Sequence, residues 1–99
     1  MKFFVDLNKV DDIKTFVKNA EKYDCDIIVR NRDRVFQVDG TSLIGLFSLN
    51  LSEPVEVEIK DNEAAELFKD DVYAMLVWEN NVIERNEKRD YISRRISIR

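Results

Sequence analysis

The chain has 99 residues, of which 44% are hydrophobic and 36% are charged, and its net charge is −4. This length suits one domain, and the composition is typical of a globular protein with its own core rather than of a disordered chain. Because the sequence contains no histidine, it excludes any chemistry that needs an imidazole.

The cysteine content and the distribution of apolar residues predict where the protein works. Cys25 is the single cysteine, so no disulfide forms within the chain and a reducing compartment is compatible with the fold. Asp6 interrupts the apolar start at residues 3–5, and no later stretch approaches the length of a membrane span. We expect a cytoplasmic protein that is neither secreted nor membrane-bound.

A strand followed by an amphipathic helix opens the chain. Residues 2–7 are rich in Phe and Val and alternate loosely, which predicts a strand. From Val10 to about Tyr23 apolar residues recur every three or four positions, which predicts a helix with Val10 on its apolar face. We expect Asn8 to be its N-cap, with Asp11 and Asp12 in its first turn.

The middle of the chain is predicted to form a hairpin, a short helix and a further strand. Residues 26–30 and 35–39 are two β-branched runs joined by a polar stretch, a pattern typical of a hairpin. Ser42 then precedes a short apolar run and is expected to cap a helix. Residues 55–59 alternate apolar and charged side chains, which predicts a strand with one buried face and one face in water.

A last helix completes the predicted α+β fold. We expect Asp61 or Asn62 to cap it, and its apolar spacing continues through Val72 and past Trp78 toward Glu87. The element order is therefore β-α-β-β-α-β-α. It predicts a four-stranded, mainly antiparallel sheet with the helices on one face.

The charges divide the chain near its C-terminus. Residues 61–79 carry six acidic residues and one lysine, whereas residues 84–99 carry six basic residues and three acidic ones. We therefore expect a domain of residues 1–83 and a basic C-terminal extension of residues 84–99. The extension either contacts an anionic partner or is solvated or paired with the acidic helix, and the acidity of the domain argues against nucleic-acid binding as its main role.

Four stretches carry a resemblance to a known family. They are residues 16–23 (Phe-Val-Lys-Asn-Ala-Glu-Lys-Tyr), Asp26-Ile27, residues 42–49 (Ser-Leu-Ile-Gly-Leu-Phe-Ser-Leu) and the strand at 55–59. In these stretches the chain resembles the HPr phosphocarrier proteins of the bacterial sugar phosphotransferase system. The resemblance implies an open-faced β-sandwich, and it suggests catabolite regulation and sugar transport as the context.

The same resemblance places three unusual residues at the carrier site of the family. When residues 16–18 are aligned with the family, Lys9 falls where the carrier histidine stands, Asp11 where an arginine follows and Asp12 where a proline follows. A protonated lysine is a poor phosphoryl acceptor, and acidic side chains repel an anion from a helix N-terminus. An aspartyl-phosphate on Asp11 or Asp12 is an alternative, although helix-start acids explain the pair more simply.

The resemblance also gives Ser42 a second role besides capping. In the family the serine at this position is phosphorylated by a dedicated kinase, and the helix after it docks partner enzymes and a transcriptional regulator. Five large apolar residues occur within residues 43–49, more than a short helix can turn inward. We expect the exposed ones to form a partner-binding surface, with Leu43 and Phe47, or Ile44 and Phe47, as the candidate anchors.

The sequence therefore supports two alternative functions. The first is a non-carrier HPr-like regulatory protein that binds protein partners through the helix at residues 42–47. The second is an assembly module, in which the extended last helix and the tail with Ile92, Ile96 and Ile98 form a homo-oligomer or bind another protein. The sequence has no phosphate-binding glycine loop and no metal-ligand cluster, so we expect no enzyme activity, no cofactor and no metal site.

Overall fold

A computed structural model of the protein describes residues 1–77. The basic extension expected at residues 84–99, the course of the chain beyond Trp78 and the tail isoleucines lie outside the described residues. The elements are, in chain order, β1 (Lys2–Val5), α1 (Val10–Ala20), β2 (Ile28–Arg30), β3 (Gln37–Asp39), α2 (Leu43–Phe47), β4 (Val55–Glu58), α3 (Asn62–Asp71), a 3-10 turn (Tyr73–Met75) and β5 (Leu76–Val77).

The strands form one antiparallel sheet in the order β3-β2-β4-β1-β5. This confirms the α+β class and the open-faced sandwich, but within residues 1–77 the sheet has five strands rather than the expected four. The hairpin is also confirmed, with shorter strands than the sequence predicted. Among these residues no helix is both long and apolar enough to cross a membrane.

The predicted extension of the last helix past Val72 is wrong. Helix α3 ends at Asp71, and Val72 leaves the helical region with φ −109° and ψ 24°. After the 3-10 turn the chain pairs with β1, where Leu76 lies opposite Val5. The apolar spacing misled the prediction because Val72, Met75 and Leu76 are all buried although none of them belongs to α3.

The helices cover one face of the sheet through an aromatic cluster. Phe68 of α3 meets Phe16 of α1 edge to face at 5.1 Å between ring centroids, and Tyr23 at 5.8 Å. Its ring also lies 6.3 Å from that of Phe3 on β1. Since Phe16 and Phe68 are fully buried, each contributes roughly 2–3 kcal/mol of hydrophobic stabilisation.

Helix α1 begins differently from the prediction. Lys9, not Asn8, is the N-cap residue, and its side chain makes no capping hydrogen bond. Asn8 lies one residue too early, and its backbone N–H donates to the Asp6 carboxylate at 3.2 Å. Asp11 and Asp12 do lie in the first turn, as expected, but Val10 is 53% exposed rather than buried with the apolar face.

The face of the sheet opposite the helices is less wet than the alternation along β4 predicted. Val55 and Val57 are buried against the helices, as expected, but Glu56 is also buried, with 5% of its surface exposed. Its carboxylate pairs with the guanidinium groups of Arg30 and Arg34. The prediction was wrong because a period of two identifies the face of a residue but not what covers that face.

Candidate functional site

Helix α2 is held at the edge of the sheet by the turn that follows β3. The backbone N–H and the hydroxyl of Thr41 both donate to the Asp39 carboxylate, at 2.9 and 2.7 Å, and these bonds lower the pKa of Asp39. The N–H of Ser42 donates to the backbone carbonyl of Asp39 at 3.0 Å. At Gly40 the chain passes so close to Ile27 that a Cβ would lie 2.7 Å from its Cγ2, so glycine is needed there.

Ser42 is the N-cap of α2, which confirms the predicted cap. Its half-buried Oγ accepts a hydrogen bond from the N–H of Gly45 at 2.9 Å. The absent side chain of Gly45 also allows α2 to approach β3, since a Cβ there would lie 3.1 Å from that of Val38. The hydroxyl of Ser48 donates to the Gly45 carbonyl at 2.6 Å, which satisfies the other end of the short helix.

The apolar residues of α2 and of the turn that follows it divide into a buried and an exposed set. Leu46 and Leu49 belong to the core. Ile44 is 84% exposed, Phe47 50% and Leu43 37%. The expectation that part of this apolar run stays exposed is therefore confirmed, and the exposed part consists of the three residues expected to be anchors.

An open groove of about 480 Å³ lies between α2 and the start of α1. Phe47 lines it from α2, and the exposed Val10 lines it from α1. Val10 was missed as a surface residue because it fits the helical spacing of the buried positions. The groove is lined by Leu7, Asn8, Val10, Ile13, Phe47, Leu51 and Ser52.

The three residues aligned with the carrier site stand at the start of α1, beside this groove but not among its lining. Lys9 and Asp11 are exposed, and Asp12 is half-buried. The exposed apolar residues and the first turn of α1 thus belong to neighbouring parts of one surface. The roles assigned to Lys9, Asp11 and Asp12 stay predictions.

The surroundings of Cys25 disfavour the nucleophilic thiolate form. The half-buried thiol has a raised pKa because burial penalises the thiolate, and the nearby carboxylates of Asp61, Asp26 and Asp24 add to this effect. Its surroundings favour the protonated thiol. Within residues 1–77 no group of three or more His, Cys, Asp or Glu side chains could hold a metal ion.

A cluster of ion pairs on the sheet is not predicted by the sequence analysis. On the face of the sheet opposite the helices, Arg30 Nη1 contacts Glu56 Oε1 at 2.8 Å and Glu58 Oε1 at 2.9 Å. Arg34, from the loop between β2 and β3, contacts Glu56 Oε2 at 2.9 Å. The sequence signal is the pair of acidic residues on β4 opposite an arginine-rich hairpin, but the alternation along β4 by itself predicts only a face in water.

These contacts determine the protonation of the two glutamates. Burial opposes ionisation of Glu56, but the hydrogen bonds from Arg30 and Arg34 outweigh it, so its pKa is lowered. The pKa of Glu58 is lowered mainly by its hydrogen bond from Arg30. The bond to Glu56 is also the main reason why the pKa of Arg30 is raised.

The exposed residues Leu43, Ile44 and Phe47 form what we call the α2 surface. The fold and this surface together define a class of small domain: an open-faced sandwich with helices on one face and a serine-capped apolar helix beside the start of α1. The family model described as "PTS HPr component phosphorylation site" matches residues 12–75. Because the match spans more than half of the chain, the protein belongs to the HPr family and is related to the phosphotransferase system. A search of curated proteins gave no match.

The matched residues include the α2 surface and Asp12 but not Lys9 or Asp11. Members of this family are phosphocarriers that interact with other proteins of the phosphotransferase system. The alignment of Lys9 and Asp11 with the carrier histidine and arginine rests on the sequence resemblance alone.

The lowered pKa values of Glu56 and Glu58 predict acid sensitivity. A carboxylate whose pKa is lower in the folded state adds stability above its unfolded pKa and loses it as the pH falls through the folded value. The free energy of unfolding should therefore decrease as the pH falls below 4.5, the ordinary value for glutamate. Urea unfolding at about pH 7 and about pH 3.5 measures this decrease.

Glu56→Gln tests how much of that decrease comes from the buried carboxylate. We expect it to destabilise the protein by about 2 kcal/mol at neutral pH and to show a smaller stability loss on acidification than the wild type. The exposed Glu53 offers a control, since Glu53→Gln should keep the wild-type acid dependence. An equal loss in Glu56→Gln and wild type would contradict the prediction.

Proposed function

We propose that this protein is a cytoplasmic, non-carrier regulatory member of the HPr family that binds protein partners through α2. The observation that carries the proposal is the exposure of Leu43, Ile44 and Phe47 on a helix of five residues. In this proposal the domain comprises residues 1–83, residues 84–99 are an extension, and the protein is not an enzyme.

The composition around α2 supports a docking role. Residues 41–52 contain no charged side chain although 36% of the whole chain is charged. Depletion of charge with retention of large apolar side chains is typical of the centre of a protein interface. Val10 and Phe47 extend this apolar surface into the groove beside α1, which offers a partner side chain a recess in which it can be desolvated.

The chemistry at the start of α1 supports a non-carrier role. An ammonium group at Lys9 has no lone pair with which to attack a phosphoryl group. Asp11 and Asp12 place two acidic residues in the first turn, where a bound phosphate would meet like charge. Acceptance by either carboxylate would need a metal to offset that charge.

Ser42 is the proposed point of regulation. A phosphate there would add close to two negative charges directly beside a surface without charged residues. A helix N-terminus tolerates an anion, so modification would change recognition more than it would change the fold. By resemblance to the family, the proposed partners are a kinase and a transcriptional regulator.

The first prediction from the proposed function concerns phosphoryl transfer. We expect no phosphoryl label on this protein after incubation with phosphoenolpyruvate and the enzyme that phosphorylates ordinary HPr, because the start of α1 has no histidine to accept the phosphoryl group. Ordinary HPr treated in parallel is the positive control. A stoichiometric, acid-labile label on this chain would contradict the non-carrier role.

The second prediction concerns Ser42. If an HPr-directed kinase labels the protein, we expect mass spectrometry to find the phosphate on Ser42 and Ser42→Ala to abolish it. Ser48, on the other end of α2, is a matched control, so Ser48→Ala should retain the label. Label that persists in Ser42→Ala would refute the assignment.

The third prediction separates docking from packing within one helix. Ile44→Ala and Phe47→Ala should each weaken binding of the regulator that recognises HPr by about 2 kcal/mol, roughly 30-fold in Kd. Because Ile44 is 84% exposed, its truncation should change the free energy of unfolding by less than about 0.5 kcal/mol.

The buried Leu46 provides the contrast on the same helix. Leu46→Ala should destabilise the protein by about 3 kcal/mol. Thermal melts and titrations of the three variants form one experiment. Early melting of Ile44→Ala and Phe47→Ala, or wild-type affinity in both, would show that these side chains are not anchors.

A further inference from the structure

A single row of residues crosses the whole open face of the sheet. The strand registers place Arg30 opposite both Gln37 and Glu56, and Phe4 opposite both Glu56 and Val77. The row therefore reads Gln37, Arg30, Glu56, Phe4 and Val77 from β3 to β5. No helix within residues 1–77 covers this face, since α1 and α3 pack on the other one through Phe3, Phe16 and Phe68.

The loop of residues 31–36, which we name the strap, folds over the middle of this row. Arg34 Nη2 contacts Glu56 Oε2 at 2.9 Å. The guanidinium carbon of Arg32 lies 5.0 Å from the centroid of the Phe4 ring, within range of a cation–π contact. Two arginines of one short loop thus contact two neighbouring members of the row.

Further hydrogen bonds shape the strap and fix its first residue. The Arg34 N–H donates to the Asn31 carbonyl at 2.8 Å, and the Val35 N–H donates to the Asp33 carboxylate at 2.9 Å. The Asn31 side-chain oxygen accepts from the Asn50 N–H at 3.1 Å. The strap is therefore attached to the protein beside α2 at one end and to the open face at its middle.

Arg34 adopts a strained backbone conformation. Its φ of 63° lies in the left-handed region, and it is the one non-glycine residue of positive φ within residues 1–77. A side chain as large as arginine occupies this region only where surrounding contacts compensate the strain. The pair with Glu56 is one contact of Arg34 that does so.

The two arginines bound to Glu56 differ in exposure. The side chain of Arg30 is almost covered, whereas that of Arg34 is more than half exposed to solvent. If Arg34 leaves, Glu56 keeps its hydrogen bond from Arg30, so no unpaired buried charge results. The contact between Arg34 and Glu56 can therefore break without unfolding the sheet. In a buried pair with a single arginine, the same break would leave the carboxylate unpaired.

We propose that the strap is a conformational latch in which the Arg34–Glu56 pair holds residues 31–36 closed over the open face of the sheet. Opening of the pair relieves the strain at Arg34, releases the strap and uncovers the centre of the row at Glu56 and Phe4. Glu56 is thus a positioning residue for a loop distant in sequence. This latch is separate from the α2 surface and does not depend on the function proposed for it.

Hydrogen exchange tests the latch directly. Arg34→Ala should speed exchange of the amides of residues 34 and 35 by about tenfold, since loss of a charge-assisted bond favours local opening by that order. Exchange in β1 and β4 should stay as in the wild type. Trypsin cleavage after Arg32 should accelerate in the same variant, because proteolysis follows the open population.

Two glutamate variants identify the partner of Arg34. Glu56→Gln should speed exchange in the strap as Arg34→Ala does, whereas Glu58→Gln, which removes a contact of Arg30 but none of Arg34, should leave the strap closed. Wild-type strap exchange in Arg34→Ala, or equal acceleration in Glu58→Gln, would overturn the proposal. If Glu56→Gln unfolds, Arg34→Ala still decides, because Glu56 keeps Arg30 in that variant.

Discussion

The contact between Phe68 and the rings around it is the constraint on which the rest of the molecule depends. Phe68 lies on α3, and the rings it touches belong to β1, to α1 and to the segment after α1. One side chain therefore joins both long helices to the same face of the sheet. Tyr23 adds a polar link, since its hydroxyl donates to Asp71 at the end of α3, and burial with this bond raises the pKa of Tyr23 to about 12.

Because α1 and α3 pack on one face of the sheet, the exposed apolar residues of α2 and the charged residues of the sheet lie outside the core. Helix α2 packs at the β3 edge, where Leu46 and, just after the helix, Leu49 are buried in the core, whereas the other large residues of the helix remain partly or largely exposed. The opposite face of the sheet, on which neither α1 nor α3 packs, instead carries charge pairs with an arginine-rich loop. Both candidate functional features are thus consequences of a core built on one side only.

Most local signals, apart from the cap of α1, can be predicted from the sequence, whereas signals that depend on distant partners cannot. Ser42 and Asp61 cap their helices because their oxygens need only an N–H three residues later. The burial of Glu56 depends on Arg30 and Arg34, which precede it by more than twenty residues. The end of α3 was misjudged for the same reason, because Leu76 is withdrawn from a helical pattern by pairing with Val5.

The start of α1 changes the physical argument for a non-carrier role. Capping by Asn8 would by itself have occupied an anion site, but the N-cap residue is Lys9 and its side chain makes no capping bond. Geometry alone therefore does not close this helix end to an anion. The non-carrier role is supported instead by chemistry, because the chain contains no histidine and the first turn of α1 carries two acids.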